Sequence, residues 1–141
     1  MMPKKLLCAT DGSHASLQAV DFAIDFARSL GTQLAFLTVD GAPPSAGALH
    51  DSTLLTAAEA QLRQELQVAA TRARAAGLDE VRCVLARGHD IAATIVAYAE
   101  EHGYDHIVTG SAGRTGISRL LLGSVAAAVV ARAHCPVTVV R

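Results

Sequence analysis

A glycine-rich segment in the last third of the sequence has the residue types that bind phosphate. It runs from Gly110 to Ser124 and contains two charged residues, Arg114 and Arg119. Glycine allows a tight turn and lets backbone N–H groups come close to an anion. The segment follows a predicted strand and leads into a predicted helix, whose first N–H groups and dipole favour phosphate. These features indicate a phosphate-binding turn, to which the arginines could add charge.

Two common nucleotide-binding motifs are absent from the sequence. A Walker A loop needs a lysine just before its helix, but the only lysines are Lys4 and Lys5. The glycines also follow the fourth predicted strand, with a spacing that differs from that of the dinucleotide fingerprint. From the residues alone, the segment is as compatible with a structural loop as with a ligand site.

The sequence has no arrangement typical of catalysis or of metal binding by side chains. No Gly-x-Ser-x-Gly segment supplies a hydrolase nucleophile. His102 and His106 are four residues apart, but Gly103 interrupts the helix between them. Asp11 is the one obvious carboxylate near the expected ligand crevice, so we expect no catalytic residues. The glutamates of the second and third helices are interpreted as solvent-facing: Glu59, Glu65, Glu100 and Glu101.

Length and composition favour one packed domain over residues 1–141. The chain is 51% hydrophobic and 18% charged, which is enough apolar residues for one core. The net charge is −1 and no basic run is longer than Lys4-Lys5, so neither nucleic acid nor a membrane surface is an expected partner. No apolar stretch reaches the roughly 20 residues that span a bilayer. We therefore expect a cytoplasmic protein.

Short β-rich runs alternate with Ala-rich helical segments, and this order predicts an α/β fold with a parallel sheet covered on both faces. Ser13 is the predicted N-cap of the first helix, and Gly31 its terminating glycine. The predicted strands are Lys5–Thr10, Leu34–Val39, Val81–Leu85, His106–Gly110 and Pro136–Val140. The predicted helices are Ser13–Leu30, Thr53–Ala76, Ile91–His102 and Ser124–Ala133, and Asp40–Ser52 is a predicted loop.

The strand pattern also indicates where a ligand would bind. Arg82 and Thr138 interrupt the third and fifth strands, which are therefore predicted at the sheet edges. If the first and fourth strands are neighbours where the winding reverses, their carboxyl ends flank the ligand crevice. Asp11 and Gly110 would then face the same crevice. Asp11 is either a ligand-binding residue or a simple turn residue, and Ser124 contacts phosphate, caps its helix, or does both.

Several segments together resemble the universal stress protein family. Gly110, Gly113, Gly123 and Ser124 form the pattern Gly-x2-Gly-x9-Gly-Ser, which resembles the ATP-binding signature of that family. Four further segments resemble the family: residues 9–13 (Ala-Thr-Asp-Gly-Ser), 87–88 (Arg-Gly), 105–108 (Asp-His-Ile-Val) and 135–140 (Cys-Pro-Val-Thr-Val-Val). The similarity covers essentially the whole chain. One departure is Ala112, because many relatives carry histidine there, and any polar contact from that side chain is lost.

The resemblance implies a single open five-stranded sheet of order 3-2-1-4-5 and a site for ATP with Mg²⁺. Asp11 would bind the ribose, Ala9 and Thr10 would line the base pocket, and the backbone of Val39 would meet the adenine edge. The phosphates would be held by Gly110, Gly113, Gly123, Ser124 and Val125, with Arg114 as the added charge.

The sequence thus predicts an ATP-binding regulatory module of the stress response, with little or no turnover. An ATP-independent dimeric scaffold of the same fold is the alternative, and a slow ATP-hydrolysing or phosphotransfer enzyme is less expected without a phosphate-site lysine. The last strand, Pro136–Val140, is β-branched and ends the sheet, so we predict a homodimer paired through it. The regulated protein partner is left unidentified.

Overall fold

The structure is a computed structural model that describes residues 2–41, 52–111 and 122–141. Strands and helices alternate through these residues, as the sequence predicts. The strands are β1 (Lys5–Ala9), β2 (Gln33–Asp40), β3 (Val81–Arg87), β4 (His106–Gly110) and β5 (Val137–Val140). The helices are α1 (His14–Leu30), α2 (Ser52–Ala75), α3 (Ile91–Glu101) and α4 (Ser124–Arg132). Most ends lie within one residue of the predicted positions.

The strands form one parallel sheet in the order β3-β2-β1-β4-β5. This confirms the predicted order and the edge positions of β3 and β5. The winding reverses between β1 and β4, which pair through Leu6 with His106 and through Cys8 with Val108. The carboxyl ends of these two strands therefore flank the place where an open α/β sheet binds its ligand.

The two faces of the sheet carry separate hydrophobic cores, because successive side chains of a strand point to opposite sides. On one face, Leu6, Cys8 and Phe36 pack with α1 and α2. On the other, Leu7 and Leu37 pack with α3 and α4. Strand β1 is thus apolar on both sides, as expected for the centre of a parallel sheet. In the described ranges, no helix is both long and apolar enough to cross a bilayer.

Candidate functional site

The carboxyl ends of β1, β2 and β4 open into a cavity of about 330 Å³. All four helices contribute residues to its wall. Every predicted site residue within the described ranges lies in this wall: Ala9, Thr10, Asp11, Val39, Gly110, Gly123, Ser124 and Val125. The remaining predicted site residues, Gly113 and Arg114, lie outside the described residues, as does Arg119. The fold therefore brings together two turns that are a hundred residues apart in the sequence.

The turn between β1 and α1 is held by its own side chains. The Asp11 carboxylate accepts a hydrogen bond from the Ser13 backbone N–H at 2.9 Å. Gly12 has a φ of +77°, a conformation that other residues rarely adopt. The Ser13 hydroxyl caps α1 by accepting from the Ser16 N–H at 3.1 Å, which confirms the predicted N-cap. Asp11 is thus a turn residue that also lies in the cavity wall, and its role as a ribose ligand stays a prediction.

A pair of buried hydroxyl groups lies beside this turn. Thr10 and Ser16 are 7% and 4% exposed, and their hydroxyl oxygens are 3.0 Å apart. Both residues line the cavity. Ser16 was not predicted as a site residue, because no sequence pattern separates a serine in the first turn of a helix from an ordinary surface residue.

At Gly110, the end of β4 meets the first turn of α1. A Cβ atom there would lie 3.3 Å from the Ala15 carbonyl oxygen and 3.5 Å from the Ser16 Cα. Both neighbours are backbone atoms that cannot rotate away. Glycine avoids a tight contact with the Ala15 carbonyl oxygen at this point. The same contact places the β1–α1 turn directly against the start of the glycine-rich segment.

The two ends of the glycine-rich segment are joined by backbone hydrogen bonds. The Gly123 N–H donates to the Ser111 carbonyl at 2.6 Å, and the Ser111 N–H donates to the Val140 carbonyl at 3.0 Å. These bonds fix the distance between the end of β4 and the start of α4. The start of α4 consequently faces the cavity beside Gly110.

Helix α4 begins at Ser124, as predicted, but the alternative in which Ser124 caps this helix is wrong. Gly123 occupies the N-cap position, with φ −63° and ψ 160°, and its carbonyl accepts from the Ala127 N–H at 2.9 Å. Ser124 is therefore the first helical residue. A glycine has no side chain with which to cap, so the N-cap position leaves the first N–H groups of α4 to other acceptors.

Apolar side chains form the opposite part of the cavity wall. They come from strand β2 and from helices α2 and α3: Leu37, Val39, Leu62, Ile91 and Ile95. Ile91 is 38% exposed and closes over the end of β2, where a Cβ on Gly41 would lie 3.2 Å from its Cγ1. Of these five residues, only Val39 was predicted from the sequence, because the residues on the helices have the apolar pattern of ordinary core residues.

The interpretation of the helix glutamates as solvent-facing is wrong for Glu65. Its side chain extends from α2 across the β1–α1 turn, where a Cβ on Gly12 would lie 2.6 Å from its Cγ. Its Oε2 atom is buried. Glu59 is partly covered and pairs with Arg63 at 2.8 Å and Arg87 at 3.0 Å; its hydrogen bond from Arg63 lowers the pKa of Glu59. Glu100 and Glu101 are exposed, as predicted.

His106 lies at the other end of β4 from the cavity. Its Nε2 is 2.8 Å from the Thr138 hydroxyl, and its ring packs against Phe26. Burial lowers the pKa of His106. Among the described residues, no group of three or more His, Cys, Asp or Glu side chains could hold a metal ion. His106 is thus part of the packing between β4, β5 and α1.

The comparison with known proteins agrees with this architecture. The chain matches the Universal stress protein family over residues 2–141. A universal stress protein of Methanocaldococcus jannaschii is 34% identical over 141 residues, covering 98% of this chain and 82% of the relative. One solved hypothetical protein superposes with a TM-score of 0.86 at 26% identity, covering 99% of this chain and 96% of the other.

A second solved structure is that of a universal stress protein in complex with cAMP. It has a TM-score of 0.75 and 28% identity, and covers 100% of this chain and 98% of that protein. The family match extends over the same residues whose turns form the cavity. This chain therefore belongs to the universal stress protein family.

Proposed function

We propose that this protein is a cytoplasmic ATP-binding module that regulates another protein in response to stress, with little or no turnover. The observation that carries the proposal is the start of α4, where a glycine N-cap faces the cavity beside Gly110. Such a helix end attracts anions through its N–H groups and its dipole. The relative solved with cAMP supports an adenine nucleotide as the class of ligand.

The apolar part of the cavity suits a purine base. Its volume of about 330 Å³ lies within the usual range of small-molecule sites, roughly 300–1,000 Å³. Ile91 and Ile95 would pack on one side of the base, with Ala9 and Thr10 at the inner end. The backbone of Val39, at the end of β2, would meet the hydrogen-bonding edge of adenine.

The polar part of the cavity suits the sugar and the phosphates. Asp11 lines the cavity and would accept hydrogen bonds from the ribose hydroxyls. The phosphates would bind at the ends of the glycine-rich segment, to the backbone N–H groups of Ser124 and Val125. Gly110 and Gly123, which have no side chain, would let them approach closely. Gly113 would complete this turn, and Arg114 would neutralise phosphate charge.

Mg²⁺ fits this arrangement as an ion that enters with ATP. It prefers oxygen ligands and usually binds through substrate phosphates and one or two carboxylates. Among the residues lining the cavity, Asp11 is the carboxylate. The phosphate oxygens of ATP would therefore supply most of the remaining ligands of the Mg²⁺ ion.

Regulation without turnover is the expected consequence of this set of residues. P-loop NTPases and protein kinases, which transfer phosphoryl groups efficiently, use a lysine at the phosphates and a group that orients the nucleophile. The two lysines are distant from the cavity wall, at the start of β1. We expect ATP hydrolysis far below the typical enzyme range of about 1–1,000 s⁻¹. A rate within that range, measured by phosphate release and lost in a Ser124→Pro variant, would replace the regulatory assignment with an enzymatic one.

A thermal-shift experiment tests the nucleotide site. Protein shown by mass spectrometry to be free of nucleotide is melted with and without Mg-ATP. At a hundred times the Kd, bound ligand adds about 2.7 kcal/mol to the free energy of unfolding. Each kcal/mol raises the Tm of a chain of this size by roughly 3 °C, so the expected rise is about 8 °C.

Comparison ligands sharpen this experiment. Adenosine lacks phosphates and should give a much smaller rise. A larger rise with cAMP than with ATP would keep the adenine nucleotide and reject ATP as the preferred ligand. A Tm unchanged by millimolar Mg-ATP and by cAMP would reject nucleotide binding, and an ATP-independent scaffold would take its place.

Homodimerisation through β5 is the second part of the proposal. Strand β5 lies at the edge of the sheet and its four residues are half-buried. On the neighbouring helix, Val130 is 48% exposed. An edge strand offers N–H and C=O groups to another strand, and a two-fold axis would pair this edge with itself. Light scattering after size exclusion should give twice the chain mass, and a monomer at tens of micromolar would contradict the dimer.

A further inference from the structure

A chain of hydrogen bonds runs underneath the turn that carries Asp11. The Ser16 hydroxyl is 2.9 Å from the Ser13 carbonyl oxygen, which can only accept, so Ser16 is the donor. A hydroxyl has a single proton. In the contact of 3.0 Å between Thr10 and Ser16, the donor must therefore be Thr10. The oxygen of Thr10 in turn accepts from the Gly12 N–H at 3.3 Å.

The direction of every bond in this chain is thereby determined. It runs from the Gly12 N–H to Thr10, from Thr10 to Ser16, and from Ser16 to the Ser13 carbonyl. Its members lie on both sides of Asp11 in the sequence. Thr10 and Ser16 are almost completely buried, so water cannot easily replace a partner that is removed.

Ser16 also lies where the two turns of the site meet. Its Cα would be 3.5 Å from a Cβ on Gly110, so α1 and β4 are in backbone contact at this point. One side chain thus contacts the end of β1 through Thr10 and the start of α1 through Ser13. A turn that contains a left-handed glycine is conformationally free unless such contacts hold it.

We propose that Ser16 is a positioning residue, whose hydroxyl acts through Thr10 to hold the Asp11 carboxylate where it binds the ribose. Ser16 itself need not touch the nucleotide. The inference rests on the proposed nucleotide site and adds a specific consequence. Loss of the Ser16 hydroxyl should weaken recognition of the ribose hydroxyls more than recognition of the base and phosphates.

The experiment compares ATP with 2′,3′-dideoxy-ATP, which lacks both ribose hydroxyls, by titration calorimetry. In the unmodified protein, a hydrogen bond to a charged carboxylate favours ATP by about tenfold to a hundredfold. Ser16→Ala should reduce this preference by about fivefold or more, since the bond depends on carboxylate position. Dideoxy-ATP affinity should change by less than about twofold.

Two further variants separate positioning from stability. Ser13→Ala removes the cap of α1 but leaves the chain from Gly12 to Ser16 intact, so the preference for ATP should remain. Thr10→Val breaks the same chain at its other hydroxyl. Because Thr10 also lines the base pocket, any effect on the base is common to both nucleotides, so the measured quantity is the ratio of their affinities. That ratio should fall as it does in Ser16→Ala, whereas Thr10→Ser should restore it. The Thr10 pair also keeps the test decisive if Ser16→Ala does not fold.

Three results would overturn the inference. Equal losses for ATP and dideoxy-ATP in both Ser16→Ala and Thr10→Val would show a general structural role. If the unmodified protein binds both nucleotides equally, it does not recognise the ribose hydroxyls, which contradicts the inference but not the proposed nucleotide site. An unmodified protein that binds neither would reject the proposed function together with this inference.

Discussion

Helices α1 and α4 both begin at the carboxyl end of the sheet, beside the same cavity, but they differ in how their N-termini are capped. In α1, Ser13 caps the helix by accepting from the Ser16 N–H at 3.1 Å, and Asp11 accepts from the Ser13 N–H at 2.9 Å. In α4, the N-cap is Gly123, which has no side chain to contribute. Both helix ends carry the same partial positive charge.

The proposed function would use these two similar helix ends for two different purposes. At α1, protein oxygens occupy N–H groups of the first turn, so this turn is suited to hold side chains such as Asp11 in place. At α4, the N-cap leaves the first N–H groups for an acceptor from elsewhere, such as a phosphate. The following substitutions disturb one helix start at a time.

The largest expected effect is on the α1 side, at Gly12. Gly12→Ala would place a residue with a Cβ at φ +77° and against the Glu65 side chain. We expect a loss of about 2–4 kcal/mol in the free energy of unfolding, because left-handed strain and overpacking both contribute. Gly31→Ala is the matched control, with φ +67° and no atom within 4 Å of the added Cβ. It should cost about 1–2 kcal/mol.

Urea denaturation measures both losses, and Glu65→Ala isolates the steric part of the first. In the Glu65→Ala background, Gly12→Ala should cost about as much as Gly31→Ala, roughly 1–2 kcal/mol. An unchanged cost in that background would mean that Glu65 does not determine the need for glycine at this turn.

On the α4 side, Gly123→Asp should act on ligand affinity more than on stability. An aspartate at the N-cap would accept from the free N–H groups and repel phosphate. We expect the Kd for Mg-ATP to rise by about tenfold to a hundredfold, because the charge-assisted hydrogen bonds between the phosphate and this helix end would be lost. Gly123→Asn, which can cap without the negative charge, should raise it less. Equal affinities in Gly123→Asp and the unmodified protein, by titration calorimetry, would reject α4 as the phosphate site.

The reciprocal substitution, Ser13→Ala, should act on stability more than on affinity. Losing an N-cap side chain costs about 1 kcal/mol, which lowers the Tm by roughly 3 °C. The Ser13 N–H still donates to Asp11, so the Kd for Mg-ATP should stay within about twofold. If Ser13→Ala reduced affinity as much as Gly123→Asp, the two helix ends would not have separate roles.

The smallest expected effect concerns the other end of strand β4, where the His106 ring contacts the Thr138 hydroxyl. Burial lowers the pKa of His106 in the folded state, so the unfolded chain binds the proton more readily. The contribution of His106 is therefore complete above the ordinary histidine pKa of about 6.5 and declines as the pH falls below it.

Urea unfolding between neutral and mildly acidic pH measures this decline. His106→Gln keeps a hydrogen-bonding side chain but cannot titrate, so its stability should depend less on pH than that of the unmodified chain. The pH dependence of ATP affinity should be the same in both proteins, because His106 is not in the cavity wall. A His106→Gln variant with an unchanged pH dependence of stability would exclude His106 as the titrating group.

Local sequence features predicted the elements well, because their physical causes are local. The cap at Ser13 and the terminating glycine at Gly31, with φ +67°, depend on bonds within one helical turn. Strand β3 is longer than predicted because Ala86 and Arg87 still pair with the end of β2. Backbone pairing continues to the charged residue Arg87, and side-chain periodicity could not reveal it.

The sequence by itself determined that this chain alternates strands and helices, that glycines shape its turns, and, through its resemblance, which family it belongs to. Only the tertiary structure decided which groups meet. Ser16 became a neighbour of Thr10 and Gly110, and Glu65 a neighbour of Gly12, because parallel pairing of β1 with β4 and packing of α2 bring distant segments together. These contacts depend on strand order, which local propensities do not encode. The bond from the Gly123 N–H to the Ser111 carbonyl likewise joins residues that lie apart in the sequence.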